Sequence, residues 1–365
     1  MPEPKKKKYL FAAIYSLVVA AFTAYVMLDT FVLEHVEQAN ATGENTSMFD
    51  NIEVKKLSSD TADSTTGATA SDDESSQPEK SFTRSSRSKH SRSRQSAQES
   101  TASQTDESSS PQNDAASTSS DGDAGSYSDE NISVTIKEYD QNNTNIYVAD
   151  VRLSSAQYLK TAFANNSYGK NVKAATSEIA EDNNAILAIN GDYYGAREKG
   201  YVIRNGIAYR STADSDSDIL CIYADGHFDI ISPDEADADE LVDKGVWQAF
   251  TFGPGLVDSG EITVSQGQEV DQAMASNPRT AIGQIDELHY VFVVSDGRTG
   301  DSEGLSLYEL AQFMKALGCE TAYNLDGGGS STMYFDGKVI NNPTGGGRGN
   351  SSSERRVSDI VYLGY

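Results

Sequence analysis

The chain has 365 residues, 37% of them hydrophobic and 23% charged, and a formal net charge of −26 at pH 7. That length and apolar content allow one large folded domain. The acidic balance argues against nucleic acid as a partner, because phosphate backbones are held by Lys and Arg.

The charge is uneven along the chain. Lys5–Lys8 form a basic block within residues 1–8, read here as a short cytoplasmic segment. Tyr9–Leu28 carries no charged side chain, and about 20 such residues cross a bilayer as a helix. Residues 9–33 are therefore expected to anchor the chain in the cell membrane as a single pass. Tyr9 and Tyr25 suit the two interfaces, and Phe31, Val32 and Leu33 linger past Asp29. The lysines precede the span, which predicts a cytoplasmic N-terminus and an extracellular C-terminal domain. A cleaved secretory signal is the alternative. Its apolar core would be shorter and end in a small-x-small site, and no Ala-x-Ala follows Leu28.

Residues 34–129 are rich in Ser, Thr and Asp and poor in large apolar residues. Such a stretch buries too little surface to offset the entropy of ordering it, so a disordered linker is predicted. Its basic patch, Arg84–Arg94, reads as a solvated segment of opposite sign, or as a contact for anionic wall polymer or lipid.

Order is expected over residues 130–365. Ile132–Ile136 alternates as a half-buried strand does, and Asn145–Leu153 reads as a second strand. Asn171–Glu181 looks helical and Ala185–Ile189 is a short buried strand. Hairpins are signalled by Asn205-Gly206 and Asp225-Gly226, each between apolar runs. Asp234–Lys244 is helical, Leu288–Val294 is a central strand, and Leu305–Leu317 is an amphipathic helix closed by Gly318. Asp359–Gly364 is the last strand. Hairpins mixed with strand–helix–strand units predict an α+β fold, a single mixed-sheet domain with flanking helices.

Three apolar strands run into an acid beside glycine: Asn190-Gly191-Asp192, Ser295-Asp296-Gly297-Arg298 and Asn324-Leu325-Asp326-Gly327. One Asp-Gly after a strand is ordinarily a turn. Three of them point to polar groups converging on a site at the ends of a rigid sheet. The last run continues as Gly328-Gly329-Ser330-Ser331, where missing side chains let backbone N–H groups approach a ligand. It is no P-loop, since no Gly-Lys-Ser/Thr and no helical pattern follow. Arg279 and Thr280 start an apolar strand, Arg298 follows Asp296, and Glu354-Arg355-Arg356 precedes the last strand. An Arg beside an Asp is commonly a structural ion pair; its fork is also well matched to phosphate. The four histidines form no HExxH or other zinc pair, and no Gly-x-Ser-x-Gly elbow exists. Acid–base chemistry then falls to carboxylates, with arginines and backbone N–H groups stabilising anions. Cys221 and Cys319 stand in apolar contexts, as a disulfide or as two small buried hydrophobes.

The runs Asn190–Tyr194, Phe252–Leu256, Asn277–Gly283, Asp296–Arg298, Asn324–Met333 and Glu354–Val357 resemble the phosphodiester glycosidase family. Its name-giving members are N-acetylglucosamine-1-phosphodiester alpha-N-acetylglucosaminidases, and its bacterial relatives are associated with exopolysaccharides. The resemblance implies hydrolysis of a sugar-1-phosphodiester at the C1–O bond. It implies Asp192, Asp296 and Asp326 as nucleophile, base and sugar contacts, and Arg279 and Arg298 with Arg355 as phosphate ligands. It implies substrate contacts from Asn190, Gly191, Thr280, Asn324, Gly327, Gly328, Gly329, Ser330, Ser331 and Glu354. No cofactor is expected, although the clustered acids leave Ca²⁺ or Mg²⁺ open without EF-hand spacing. A non-catalytic surface binder of anionic glycans using the same residues is the other class of reading.

Overall fold

A computed structural model describes residues 5–40, 43–52, 54–55, 57, 119–269, 276–345 and 353–365. Helix α1 spans Lys5–Phe31. Its Tyr9–Phe31 stretch has a mean hydropathy of 2.1 and is long and apolar enough to cross a membrane.

Beyond it, three larger sheets share one core. The main sheet has eight strands in the order Glu261–Ile262, Gly255–Asp258, Thr321–Asn324, Arg279–Asp286, His289–Ser295, Asn145–Leu153, Ile132–Asp140, Ser119–Ser128. A C-terminal sheet runs Lys338–Val339, Met333–Phe335, Leu187–Asn190, Asp359–Leu363, Leu159–Phe163. A hairpin sheet runs Phe228–Ile231, Ile219–Tyr223, Val246–Phe250, Val202–Arg204, Ile207–Arg210.

Side-chain alternation decides where the apolar surface goes. In His289–Ser295, Tyr290, Phe292 and Val294 enter a core shared by all three sheets. Val291 and Val293 point the other way, into a second core beneath helix α4 (Leu307–Ala316). A strand buried on both faces reads as an unbroken apolar run, and this one is buried at every position. The other two sheets repeat the pattern. Helix α2 (Thr176–Asp182) covers the outer face of the C-terminal sheet, and helix α3 (Ala238–Asp243) that of the hairpin sheet.

Helix α4 begins at Ser306, whose hydroxyl accepts from the Glu309 N–H while the Glu309 carboxylate accepts from the Ser306 N–H. Leu307, Leu310, Ala311 and Met314 lie at helical spacing on its inner face. Gly318, with φ of 90°, turns the chain out.

The α+β class stands, but the expected single mixed sheet is replaced by several sheets whose ladders are all antiparallel. The strand–helix–strand unit through α4 explains the difference. It joins His289–Ser295 to Thr321–Asn324, and these flank Arg279–Asp286, each pairing with it antiparallel. The helix expected over Asn171–Glu181 starts only at Thr176. Asn171 is left-handed (φ 62°), and Ala174 forms a bridge with Val357. Both cysteines are free and buried, in different cores.

The expected linker over 34–129 is folded at both ends. His35–Ala39 pairs with Ser167–Lys170, and Ser119–Ser128 pairs with Ile132–Asp140. Strand pairing uses backbone groups and needs few apolar side chains, so composition hides it. Between these strands, the Asn45 and Lys55 N–H groups donate to Asn205 O and Ser154 O, and Phe49 meets Trp247 edge-on at 4.9 Å. Most of the remainder of the linker, with the basic patch 84–94, lies outside the described residues. If Phe49 holds this segment down, Phe49→Ala should lower the unfolding free energy by about 2 kcal/mol, less than the roughly 3–5 kcal/mol of a fully buried Phe because the ring is only half-buried. An unchanged urea midpoint would show that the segment is not docked.

Candidate active site

The three acid-bearing strand ends come from two sheets, and side-chain amides join them. Asn190, at the end of Leu187–Asn190, donates through Nδ2 to Asp326 O at 2.6 Å and accepts from Thr280 Oγ1 at 2.8 Å. The Asn324 amide donates to Gly253 O at 2.7 Å. These bonds lock four loops of the C-terminal, hairpin and main sheets around a cavity of about 310 Å³.

Arginines dominate its lining: Arg197, Arg279, Arg298 and Arg355, with Asp326 as the carboxylate among them. The Arg355 guanidinium donates to Asp326 Oδ2 at 2.6 Å and to Ser330 Oγ at 2.7 Å. Arg298 donates twice to Asn277 Oδ1, at 2.6 and 3.0 Å. Arg279 is buried, spending its Nε–H on Leu305 O and one amino group on Glu269 at 3.0 Å. The guanidiniums act on one another. Burial lowers the pKa of Arg279 and of Arg298, and like charge lowers each further, from Arg298 and Arg355 respectively. Burial holds the Asp326 carboxyl above its ordinary range, against the pull of Arg355, Ser330 and the Gly327 N–H.

The glycines make this crowding possible. A Cβ at Gly328, whose φ is 63°, would stand 3.0 Å from the Arg298 amino nitrogen, and one at Gly327 would stand 2.8 Å from Pro278 O. Their role differs from the expected N–H cradle. The Gly328 N–H donates to Pro278 O, the Ser330 and Ser331 N–H groups turn back to Gly327 O and Gly328 O, and the Gly327 N–H serves Asp326.

Several expected site residues are scaffold. Asp192 is buried, with Oδ1 accepting from Arg204 at 2.9 Å and Oδ2 from the Thr251 N–H at 2.9 Å. Asp296 is buried against Asn341, the Asn342 N–H and the Tyr147 hydroxyl. Neither lines the cavity, because each carboxylate finds its partners on the protein side. Asn190, Gly191, Thr280 and Asn324 lie behind the wall, where a Cβ on Gly191 would stand 2.2 Å from Asp359. Glu354 accepts from the Ser177 N–H and hydroxyl at the start of α2. Gly329, Ser330 and Ser331 are buried beneath Arg355. Asp326, Arg279, Arg298, Arg355, Gly327 and Gly328 are the expected residues brought together at the cavity.

Residues 183–363 match the family model described as Phosphodiester glycosidase. This part of the chain belongs to the phosphodiester glycosidase family. The SPbeta prophage-derived uncharacterized protein YomE of Bacillus subtilis is 30% identical over 205 residues, 54% of this chain and 31% of that protein. N-acetylglucosamine-1-phosphodiester alpha-N-acetylglucosaminidase of Mus musculus is 30% identical over 121 residues, 30% of this chain and 23% of that enzyme. The chain thus spans less than a third of the length of these curated relatives. The zebrafish enzyme's catalytic domain, auto-inhibited by its pro-peptide, shares the fold, with a TM-score of 0.52 at 21% identity over 64% of this chain and 82% of that one.

Within this phosphodiester glycosidase domain, residues that sequence reasoning passed over complete the site. Tyr193, left-handed at φ 64°, forms one wall under Arg355, 5.2 Å from its ring centroid. Phe252 forms another, with the Arg197 guanidinium 4.8 Å over its ring. Both stand in runs that carried the family resemblance and were legible as neighbours of Asp192 and Gly253. A larger cavity of about 600 Å³ adjoins, sharing Arg197 and Phe252 and holding Glu269, for which the sequence offers no signal. Among the described residues, no three His, Cys, Asp or Glu side chains converge as a metal site.

Asp359 makes the scaffold titratable. It shares Arg204 with Asp192, and burial together with the Asp192 charge raises its carboxyl to about 7, against the pull of Arg204. The ordinary value is about 3.9. Between the two, the folded state binds more protons than the unfolded one, so stability falls as pH rises. This contribution is fully present below about 4 and lost above about 7. The urea midpoint at pH 5 should therefore exceed that at pH 8, and Asp359→Asn should shrink the difference. A difference that survives intact in Asp359→Asn would assign it to other groups.

Proposed function

We propose that this chain is a membrane-anchored extracellular hydrolase that cleaves the C1–O bond of a sugar-1-phosphodiester in surface-glycan or exopolysaccharide metabolism. The observation that carries this reading is the arginine-lined cavity with one carboxylate inside it. Four guanidiniums lining one cavity call for an anion, and a phosphodiester matches their forks. The names of the animal relatives make N-acetylglucosamine the first sugar to try. The apolar helix, with lysines before it, supports anchoring with the domain outside.

The leaving group is a phosphomonoester, whose second pKa is about 6, so it departs without a strong general acid. Arg298 and Arg355 face the charge that develops on it, and Arg279 supports them from a buried position. Asp326 is placed to attack C1 or to activate water, its raised pKa making it a better base than an exposed carboxylate. Glycosidases of both stereochemical types use two carboxylates. Glu269, held by Arg279 at the edge of the neighbouring cavity, takes the second place in preference to Asp192 and Asp296. Tyr193 and Phe252 offer ring faces to the sugar.

The test is release of free sugar by the full chain in detergent from UDP-N-acetylglucosamine and other sugar-1-phosphodiesters, with and without chelator. The phosphate should stay on the other product, and activity should survive chelation. Asp326→Asn should lower kcat by about 10²–10⁴-fold with an unchanged fold. Arg298→Met should lower kcat/KM by about 10²-fold through lost charge stabilisation. Binding without release from any substrate would move the reading to a glycan-binding protein, and full turnover by Asp326→Asn would remove Asp326 from the mechanism.

A further inference from the structure

Helix α1 ends at Phe31, and the strand that pairs with the domain begins at His35. The residues between span at most about 10 Å. The expected long tether therefore does not separate helix from domain. On the described residues that follow, the Lys55 N–H bonds Ser154 O, and the strand that starts at Ser119 pairs with Ile132–Asp140.

One residue joins the helix end to the active site. The Asn171 side-chain amide donates to Thr30 O and Leu33 O, both at 3.1 Å. Its backbone N–H donates to Gly195 O at 3.0 Å. Gly195 lies on the loop that carries Tyr193 and Arg197, both in the arginine cavity wall. Lys173, two residues on, stands 5.7 Å from the Tyr193 ring. Summing these links puts the cavity wall within roughly 20 Å of the point where the chain leaves the helix. The apolar surface continues in the same direction. Phe31, Val32 and Leu33 are exposed, and so is Val36 (51%), already on the paired strand. Four large apolar side chains on water beside an apolar helix fit a strand end seated in the bilayer interface.

From this placement we infer that the site works on membrane-resident substrates: amphiphiles in which a sugar 1-phosphate is esterified to a long-chain lipid alcohol in the leaflet from which the C-terminal end of α1 emerges beside the domain. The inference rests on the glycosidase reading above. Water adds its oxygen to C1, and the C1–O bond breaks with its electron pair going to the bridging oxygen. That oxygen stays on the lipid phosphomonoester, and the remaining proton passes to solvent. The interfacial headgroup layer is only about 5–7 Å deep, so a sugar 1-phosphate standing at its surface beside α1 lies within the same range of the helix exit as the cavity wall. A domain on a long tether would have no such preference.

The test reconstitutes the full chain in phosphatidylcholine vesicles and offers N-acetylglucosamine 1-phosphate esterified either to a long-chain alkyl alcohol, in the same bilayer, or to methanol. The lipid substrate should be preferred at least about tenfold in kcat/KM. A Gly/Ser spacer of about 20 residues inserted between Leu33 and Glu34 should abolish that preference and leave methyl-ester turnover within about twofold. Equal turnover of both substrates by the unmodified chain, or a preference that survives the spacer, overturns the inference and leaves the glycosidase reading standing. Release from neither substrate overturns both. If the spacer variant loses both activities, the ratio in the unmodified chain decides alone.

Discussion

The buried charge triad Asp192–Arg204–Asp359 is the interaction on which the site depends. Arg204 comes from the hairpin sheet, Asp359 from the C-terminal sheet, and Asp192 from the loop between them. Taking three charges out of water costs several kcal/mol per ion unless nearly every donor is used. Here Arg204 also donates to Ile203 O and Ala249 O, and the Phe250 ring lies 4.3 Å from the guanidinium. The arrangement fixes geometry as much as it stabilises. Asp192 holds the Tyr194 and Thr251 N–H groups, so one carboxylate sets the loops that present Tyr193 and Phe252 to the cavity. Burial first, and then the second carboxylate sharing one guanidinium, raise the Asp359 carboxyl against the pull of Arg204.

The cavity in front of the triad has the opposite sign. Acids behind the wall are paired and buried, whereas Arg298 and Arg355 face outward. A chain with a net charge of −26 therefore presents a local cationic pocket to solvent. Long-range repulsion between the acidic surface and anionic ligands is screened beyond about 8 Å at physiological salt, while contact with the forks is not. Binding should then favour compact phosphates that enter the pocket over extended polyanions lying on the surface.

Much of this was legible in the sequence. The strands ending in Asn190, Ser295 and Asn324 are apolar runs of the right length, and their ends are brought side by side, but of the three acids after them Asp326 alone lines the cavity. What a strand-end acid faces was not legible. Asp326 and Asp192 stand in similar local contexts, yet one meets Arg355 at the cavity and the other meets Arg204 beneath it. That choice is made by arginines distant in sequence, one at the end of a three-residue strand. Composition likewise concealed the ordered ends of the linker, because Asn45, Lys55 and the 119–128 strand are held through backbone groups that every residue type has.

Asn171 ties these levels together, and its residue type explains how. Its left-handed backbone, at φ 62°, is one that Asn tolerates better than most side chains. That turn aims the N–H at Gly195 O while the amide reaches Thr30 O and Leu33 O. An apolar residue at this position would leave two carbonyls at the helix end without that donor and strain the left-handed turn that aims the N–H at Gly195 O. A glycine would keep the turn and lose the grip on the helix. The residue's left-handed turn and its amide thus let one side chain and its own N–H hold the end of the apolar helix and the loop of the cavity wall at once.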